Sequence, residues 1–356
     1  MSVALAGAIV LAGGPVAATA AEAGAAPTVV TKHLDGPFGL QSARAHRGFL
    51  VAESVSGQVT RVFDSGRQRT IISGAPGVAG VAGSPRRVFA VTGGPPPPGE
   101  GAAPPAGRIG VSRVVRATYN GKGVKVIANL LAYERKHNPD GQRQFVKGKP
   151  VDALSNPFAM TWSRFGLLVA DGGANDVLKV NPRTGHVSTF FVPSTVKDVP
   201  ACKGKDANSN PGTKGCDPVP TGVDVVGDSV YVSTLGAEAP RAGRVYKLDA
   251  RSGKVQRVWK GFTAPTGVAA RRDGTFYVSE VLYGAPAGDP PPGFDPSSVG
   301  RLTRVKDGHR THSSVTMPTG LELKHGHLFA SAWSIASFVG IQHAGQVVRV
   351  PESAFH

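Results

Sequence analysis

Three stretches of this chain align with one another almost without gaps: VPTGVDVVGDSVYVSTLG (219–236), APTGVAARRDGTFYVSEVLYG (264–284) and MPTGLELKHGHLFASAW (317–333). Each holds Pro-Thr-Gly, an alternating run, a tight turn and a second strand. SNPFAMTWSRFGLLVADGG (155–173) and GPFGLQSARAHRGFLVAESVSG (36–57) follow the same plan more loosely, and GAPGVAGVAGSPRRVFAVTGG (74–94) is the most degenerate copy. A second strand pair follows each copy, as in DVLKVNPRTGHVSTFFV (176–192) and GRVYKLDARSGKVQRVW (243–259). Six units of four strands predict an all-β fold, a six-bladed β-propeller with four-stranded blades. The sixth unit ends on a single strand, GQVVRV (345–350). TVVTKHL (28–34), ahead of the first unit, would complete that blade and close the ring, removing two exposed sheet edges. Residues 28–350 are then one domain.

Composition agrees with this reading. The 356 residues include 47 glycines and 29 prolines, a load suited to short strands and turns, while 40% apolar residues leave ample material for a core. Long amphipathic helices are not expected, and the one candidate helical stretch is Leu130–Lys136. Residues 1–26 read as a leader: an apolar run from Val3 to Leu11, then Ala18-Thr19-Ala20, has the form of a signal peptide and cleavage site. Gly13, Gly14 and Pro15 interrupt a stretch already too short to span a bilayer, so no membrane span is expected. Export makes the two cysteines, Cys202 and Cys216, a disulfide closing a glycine-rich loop. The formal charge of +16 comes from singly scattered basic residues without nucleic-acid motifs. That pattern describes a solvated basic surface, and no nucleic-acid partner is expected.

With strands labelled a to d in each unit, the long insertions all fall between b and c or between d and the next a. The a–b and c–d turns are short. In an up-and-down blade the two elaborated connections emerge on one face, which is therefore the expected working face.

The residues ending strand b are Glu53, Asp171 and Glu280 in three units, and Thr92, Thr234 and Ala332 in the others. If they approach the channel mouth, three carboxylates with an Asn156 oxygen could cage a hard cation such as Ca²⁺. The plainer reading is that Asp171 accepts N–H groups within its turn, beside Asn175 and Asp176, and that the glutamates are solvated. Tyr133, Glu134, His137, Asn138 and Asp140 share the loop AYERKHNPDG, where acid–base chemistry competes with local capping. Glu238 lies on a b–c loop beside Arg241, a natural ion-pair partner. Trp333, with Phe338 further along its loop, could stack on a ligand, whereas Trp162 suits the core.

The stretch LLVADGGANDVLKVN (167–181) is similar to the NHL-type repeat of six-bladed propellers. NLLAYERKHNPDG (129–141), SNPFAMTW, LLVADGGANDVLKVNPRTGHVSTF and VPTGVDV follow one another as in the ScyD/ScyE family, which the chain resembles most over 129–285. The family takes its name from scytonemin biosynthesis, and many members are secreted bacterial proteins of unassigned role. The resemblance implies a six-bladed fold and export.

The function expected from these residues is a secreted scaffold, extracellular or in the bacterial cell envelope, acting as a monomer. It would bind a small-molecule, glycan or protein ligand on the long-loop face through Tyr133, Glu134, His137, Glu238 and Trp333. The alternative is a propeller enzyme, a metal-assisted hydrolase or lactonase or an oxidative coupling catalyst, with its site in the mouth of the central channel.

Overall fold

The structure, a computed structural model, describes residues 25–43, 46–95, 109–142, 144–146, 149–151, 154–207 and 212–356. The leader expected over 1–26 therefore lies almost wholly outside the described residues, as does most of the proline-rich loop at 93–107.

Six antiparallel four-stranded sheets follow one another along the chain as blades 1 to 6. Blade 1 comprises Pro37–Ser42, Phe49–Glu53, Gln58–Val62 and Gln68–Ile72, here strands a to d. Blade 2 runs from Gly80–Gly83 to Lys125–Asn129, blade 3 from Pro157–Ser163 to Val187–Phe191, blade 4 from Pro220–Val226 to Val255–Phe262, and blade 5 from Pro265–Ala270 to His309–Ser313. Blade 6 takes Leu321–Lys324, His327–Ala332 and Gly345–Val350 from late in the chain. Its fourth strand is Thr28–Leu34, antiparallel to Gly345–Val350, with Val29 opposite Val348 and Leu34 opposite Gly345. The ring closes as the repeat count requires.

Strand b is buried along its whole length in blades 1, 2, 3 and 5. Both faces of each blade pack on neighbours there, so the sequence reads as a continuous apolar run and not an alternating one. Strand d alternates only weakly and leaves most of its residues to solvent, as in Gln68–Ile72.

The Pro-Thr-Gly motif has a mechanical explanation. The threonine hydroxyl of one blade donates to the proline carbonyl of the next: Thr221 to Pro265 at 2.7 Å, Thr266 to Pro318 at 2.9 Å and Thr319 to Pro37 at 2.9 Å. The glycine lets the inner strands approach. A Cβ on Gly267 would stand 2.2 Å from the Thr319 carbonyl oxygen, one on Gly39 2.4 Å from that of Ala79, and one on Gly320 2.6 Å from the Leu40 nitrogen. Blades 1 and 3 carry Phe38 and Phe158 where the threonine would be, and these rings pack together with centroids 5.3 Å apart.

The long insertions all lie at the b–c and d–a ends. Between blades 2 and 3 stands helix α1, Leu130–His137, N-capped by the Asn129 side chain and ending on Asn138 in the left-handed region, followed by a small hairpin, Gln144–Val146 with Lys149–Val151. Between blades 3 and 4, Cys202 and Cys216 are disulfide-bonded. That loop packs through Val196, Val199 and both cysteines onto Ala239 and Ala242 of the blade-4 b–c loop. No helix among the described residues is long and apolar enough to cross a membrane.

The Gly267→Ala substitution is expected to cost at least about 3 kcal/mol, because a backbone carbonyl cannot move aside. Thr266→Val should cost about 1 kcal/mol for one lost hydrogen bond. Urea unfolding of the two variants checks the ranking; a Gly267→Ala penalty no larger than that of Thr266→Val would refute close approach as the motif's purpose.

Candidate functional site

Strand b carries its terminal residue to the long-loop face, and there the structure places each expected carboxylate in a bonded pocket of its own blade. Glu53 accepts the Asp35 N–H at 2.7 Å and the Gln58 amide at 3.3 Å. Glu280 accepts the Thr263 N–H at 2.6 Å, the Arg301 guanidinium at 2.8 Å and the Thr303 hydroxyl. Asp171 accepts the Ser155 hydroxyl and the Asn156 N–H, each at 2.6 Å, and the N–H groups of Gly173 and Ala174 at 3.2 Å.

In every case the acceptor joins the end of strand b to the linker that enters strand a of the same blade. The two glutamates are therefore buried and clamped, not solvated. Asn156 is equally committed: its side-chain oxygen accepts from Gly94 at 2.8 Å and its carbonyl from Gly172 at 3.1 Å. Among the described residues no three His, Cys, Asp or Glu side chains are placed to hold a metal ion. The structure does not gather Glu53, Asp171 and Glu280 into one cage.

The channel below is narrow. Strand a of each blade lines a cavity of about 30 Å³, with no charged side chain among Gln41, Thr221, Thr266 and their apolar neighbours. That is room for a water or two. Phe38, Ala79 and Phe158 cluster there, and Ile335, reaching in from the blade-6 b–c loop, packs against them. Sequence reasoning missed this plug, although the Phe-for-Thr replacement in Pro-Phe-Gly was its visible trace.

The AYERKHNPDG segment divides. Tyr133 and His137 stack with centroids 4.4 Å apart at the outer rim, where the Tyr133 hydroxyl meets Thr189 at 2.9 Å. Glu134 is buried on the other side of the helix. Asp140, Asn175 and Gln142 form a second network: Asn175 Nδ2 donates to Asp140 at 3.0 Å, Gln142 N donates to the same carboxylate at 2.8 Å, and Gln142 Nε2 donates to Asp217 at 3.0 Å.

Asn175 anchors the turn to the entry of blade 4, accepting the Val219 N–H at 3.1 Å, where a bond within the turn was expected. Asp176 does not: both of its carboxylate oxygens are buried without a hydrogen-bond donor. Its pKa is raised well above the usual range, first by burial and then by the charges of Asp171, Glu134 and Asp140. Burial likewise pushes Asp171 up to about 6 against its donors.

Glu238 is half-buried, and burial raises its pKa. No ion pair joins it to Arg241 among the described residues, so the expected pairing is not formed. Trp333 is half-buried between two clusters and donates its backbone N–H to Thr316 at 2.8 Å. The exposed apolar surface of its loop belongs to Phe338 and Val339 instead. Trp162 packs against Phe89 as a core residue would.

No protein-family model matches the sequence, and no curated protein matches it. Among solved structures the chain is similar to a luciferin-regenerating enzyme (TM-score 0.55, 11% identity, 92% of this chain and 96% of that one). It is similar also to a putative gluconolactonase (0.53, 14%, 92% of each chain) and to a gluconolactonase from Xanthomonas campestris (0.52, 11%, 92% and 95%). The structural neighbours are six-bladed β-propellers, and at these identities the likeness is one of fold.

The raised pKa of Asp171 has a definite sign in stability. Between about pH 4 and 6 the folded chain keeps a proton that the unfolded chain has lost. The stabilisation is complete below about pH 4 and lost as pH rises through about 6, roughly 3 kcal/mol in all for full burial. In metal-free urea titrations, Asp171→Asn should therefore be more costly near pH 4 than near pH 7. A penalty that instead grows with pH would show the donors, not burial, to dominate.

Proposed function

We propose that this chain is an exported binding scaffold of the ScyD/ScyE type, a single propeller over 28–350 behind a signal peptide. It would engage a protein partner through the b–c loops of blades 5, 6 and 1. One observation carries the reading. Tyr283 (43% exposed), Phe338 (54%), Val339 (51%) and Val55 (50%) are the large exposed apolar residues of three consecutive b–c connections. Beneath them Leu282, Phe294, Trp333, Ile335 and Ile341 form a packed apolar bed. Val55 and the Ser334 carbonyl both lie close to Gly36, so the blade-6 loop meets the blade-1 turn without a gap. A rigid apolar patch held on loops is what a protein interface core requires. The disulfide is compatible with export.

The enzyme reading, a lactonase or coupling catalyst in the channel mouth, draws on the likeness to gluconolactonases. It needs an enclosed site of about 300–1,000 Å³. Among the described residues, a channel of about 30 Å³ stoppered by Phe38, Phe158 and Ile335 supplies none. The ligand residues expected from the sequence are accordingly replaced by Tyr283, Phe338, Val339 and Val55 as the proposed contact set, with Trp333 beneath them.

The test is capture from the source cell's envelope and extracellular fractions with immobilised protein. A partner retained by the wild type and by Val124→Asp, on the opposite face, should be lost with Tyr283→Asp/Phe338→Asp. Equal capture by all three proteins, or turnover of a lactone and ester panel by the wild type, would overturn the reading.

A further inference from the structure

We propose that Asp176 is a ligand of a calcium ion held between the blade-3 b–c turn and the loop that follows helix α1. Asp176 opens strand c and stands opposite Asp171 in the strand register. It is 0% exposed, and neither Oδ1 nor Oδ2 receives a hydrogen bond. The groups that act on it electrostatically are Asp171 from strand b, Glu134 from helix α1 and Asp140 from the loop after that helix. All three are acidic. Like charges placed opposite one another in a strand pair destabilise it, and a buried anion without a partner is costlier still. A water can donate to its oxygens but leaves the charge uncompensated among three acidic neighbours; only a proton or a cation removes that charge.

A second observation decides between them. Asn138 Oδ1 and Gln142 Oε1, in the same loop, are also buried without a donor. Their loop is fastened beside Asp176 by the Asn175–Asp140 hydrogen bond at 3.0 Å. The orientation of the Gln142 amide is set by its Nε2 bond to Asp217 at 3.0 Å. Amide oxygens do not take up protons at ordinary pH, so protonation of Asp176 would leave these two as they are. A cation satisfies carboxylate and amide oxygens together.

The donor chemistry names the cation class. Every candidate ligand is an oxygen, with no His or Cys, and that set suits a hard cation. The absence, among the described residues, of three acidic, His or Cys side chains placed around one point excludes a dense anionic cage. A mixed set with amide oxygens fits calcium, which accepts irregular geometry, better than magnesium, which demands an octahedron and keeps its waters. The site is separate from the strand-b carboxylates, whose oxygens are already taken by donors. It would anchor helix α1 to blade 3 whether or not the apolar patch binds a partner.

The full chain, stripped with chelator, should be titrated with calcium chloride alone at neutral pH. The readouts are thermal melting and bound calcium by equilibrium dialysis. One calcium per chain is expected, with a midpoint of about 10⁻⁴–10⁻³ M. At a hundredfold excess over the midpoint the melting temperature should rise by roughly 5 °C. Asp176→Asn should abolish that rise while melting, calcium-free, no lower than the calcium-free wild type, since a neutral amide replaces an unpartnered anion. Should that variant fail to fold, Gln142→Leu keeps the carboxylate and should weaken the midpoint about tenfold. No bound calcium up to about 10 mM, tenfold above the weakest such sites, would overturn the proposal. So would a calcium-dependent rise that survives Asp176→Asn, or a midpoint unmoved by Gln142→Leu.

Discussion

The contact on which the rest of this molecule depends is the approach of one inner strand to the next across a glycine. The innermost strands come nearly into backbone contact around the axis, with a glycine at five of the six equivalent positions and Ala159 at the sixth, in blade 3. The absent Cβ of Gly39, Gly267 and Gly320 permits the approach. The hydroxyls of Thr221, Thr266 and Thr319 then bond blades 4, 5 and 6 each to its successor. Blade tilt, channel width and the position of every loop follow from that approach.

This explains why the fold was readable and the site much less so. Pro-Thr-Gly recurs because one mechanical problem recurs, so the repeat, the four strands per unit and the completing strand Thr28–Leu34 could be counted from the residues alone. The strand-b carboxylates recur for a mechanical reason too: Glu53, Asp171 and Glu280 each fasten the linker entering their own blade. Position in the repeat showed that they were equivalent but not which way they faced. Convergence is a property of three dimensions, and a periodic sequence carries only one of them. The buried state of Asp176 was hidden for a related reason. A short Asp-Gly-Gly-Ala-Asn-Asp turn looks self-sufficient until helix α1 and Asp140 arrive from an insertion read separately.

The long-loop face combines two kinds of surface. Over blades 5, 6 and 1 the loops are apolar and lie over a closed channel. Near blades 3 and 4 they are polar, disulfide-bonded and rich in buried oxygen acceptors. The first arrangement offers contact area, whereas the second spends its polar groups on holding insertions in place. Such a division lets the apolar loops vary without disturbing the fastening of the others.

The closure of blade 6 also bears on when the molecule can exist. Thr28–Leu34 finds its partner only in Gly345–Val350, almost the whole described chain away. During synthesis the earliest strand must wait, unpaired, until nearly the last has emerged, and that order delays cooperative folding. A ring that cannot shut before its end is made has two open sheet edges until then, and becomes rigid only when the last strand meets the first.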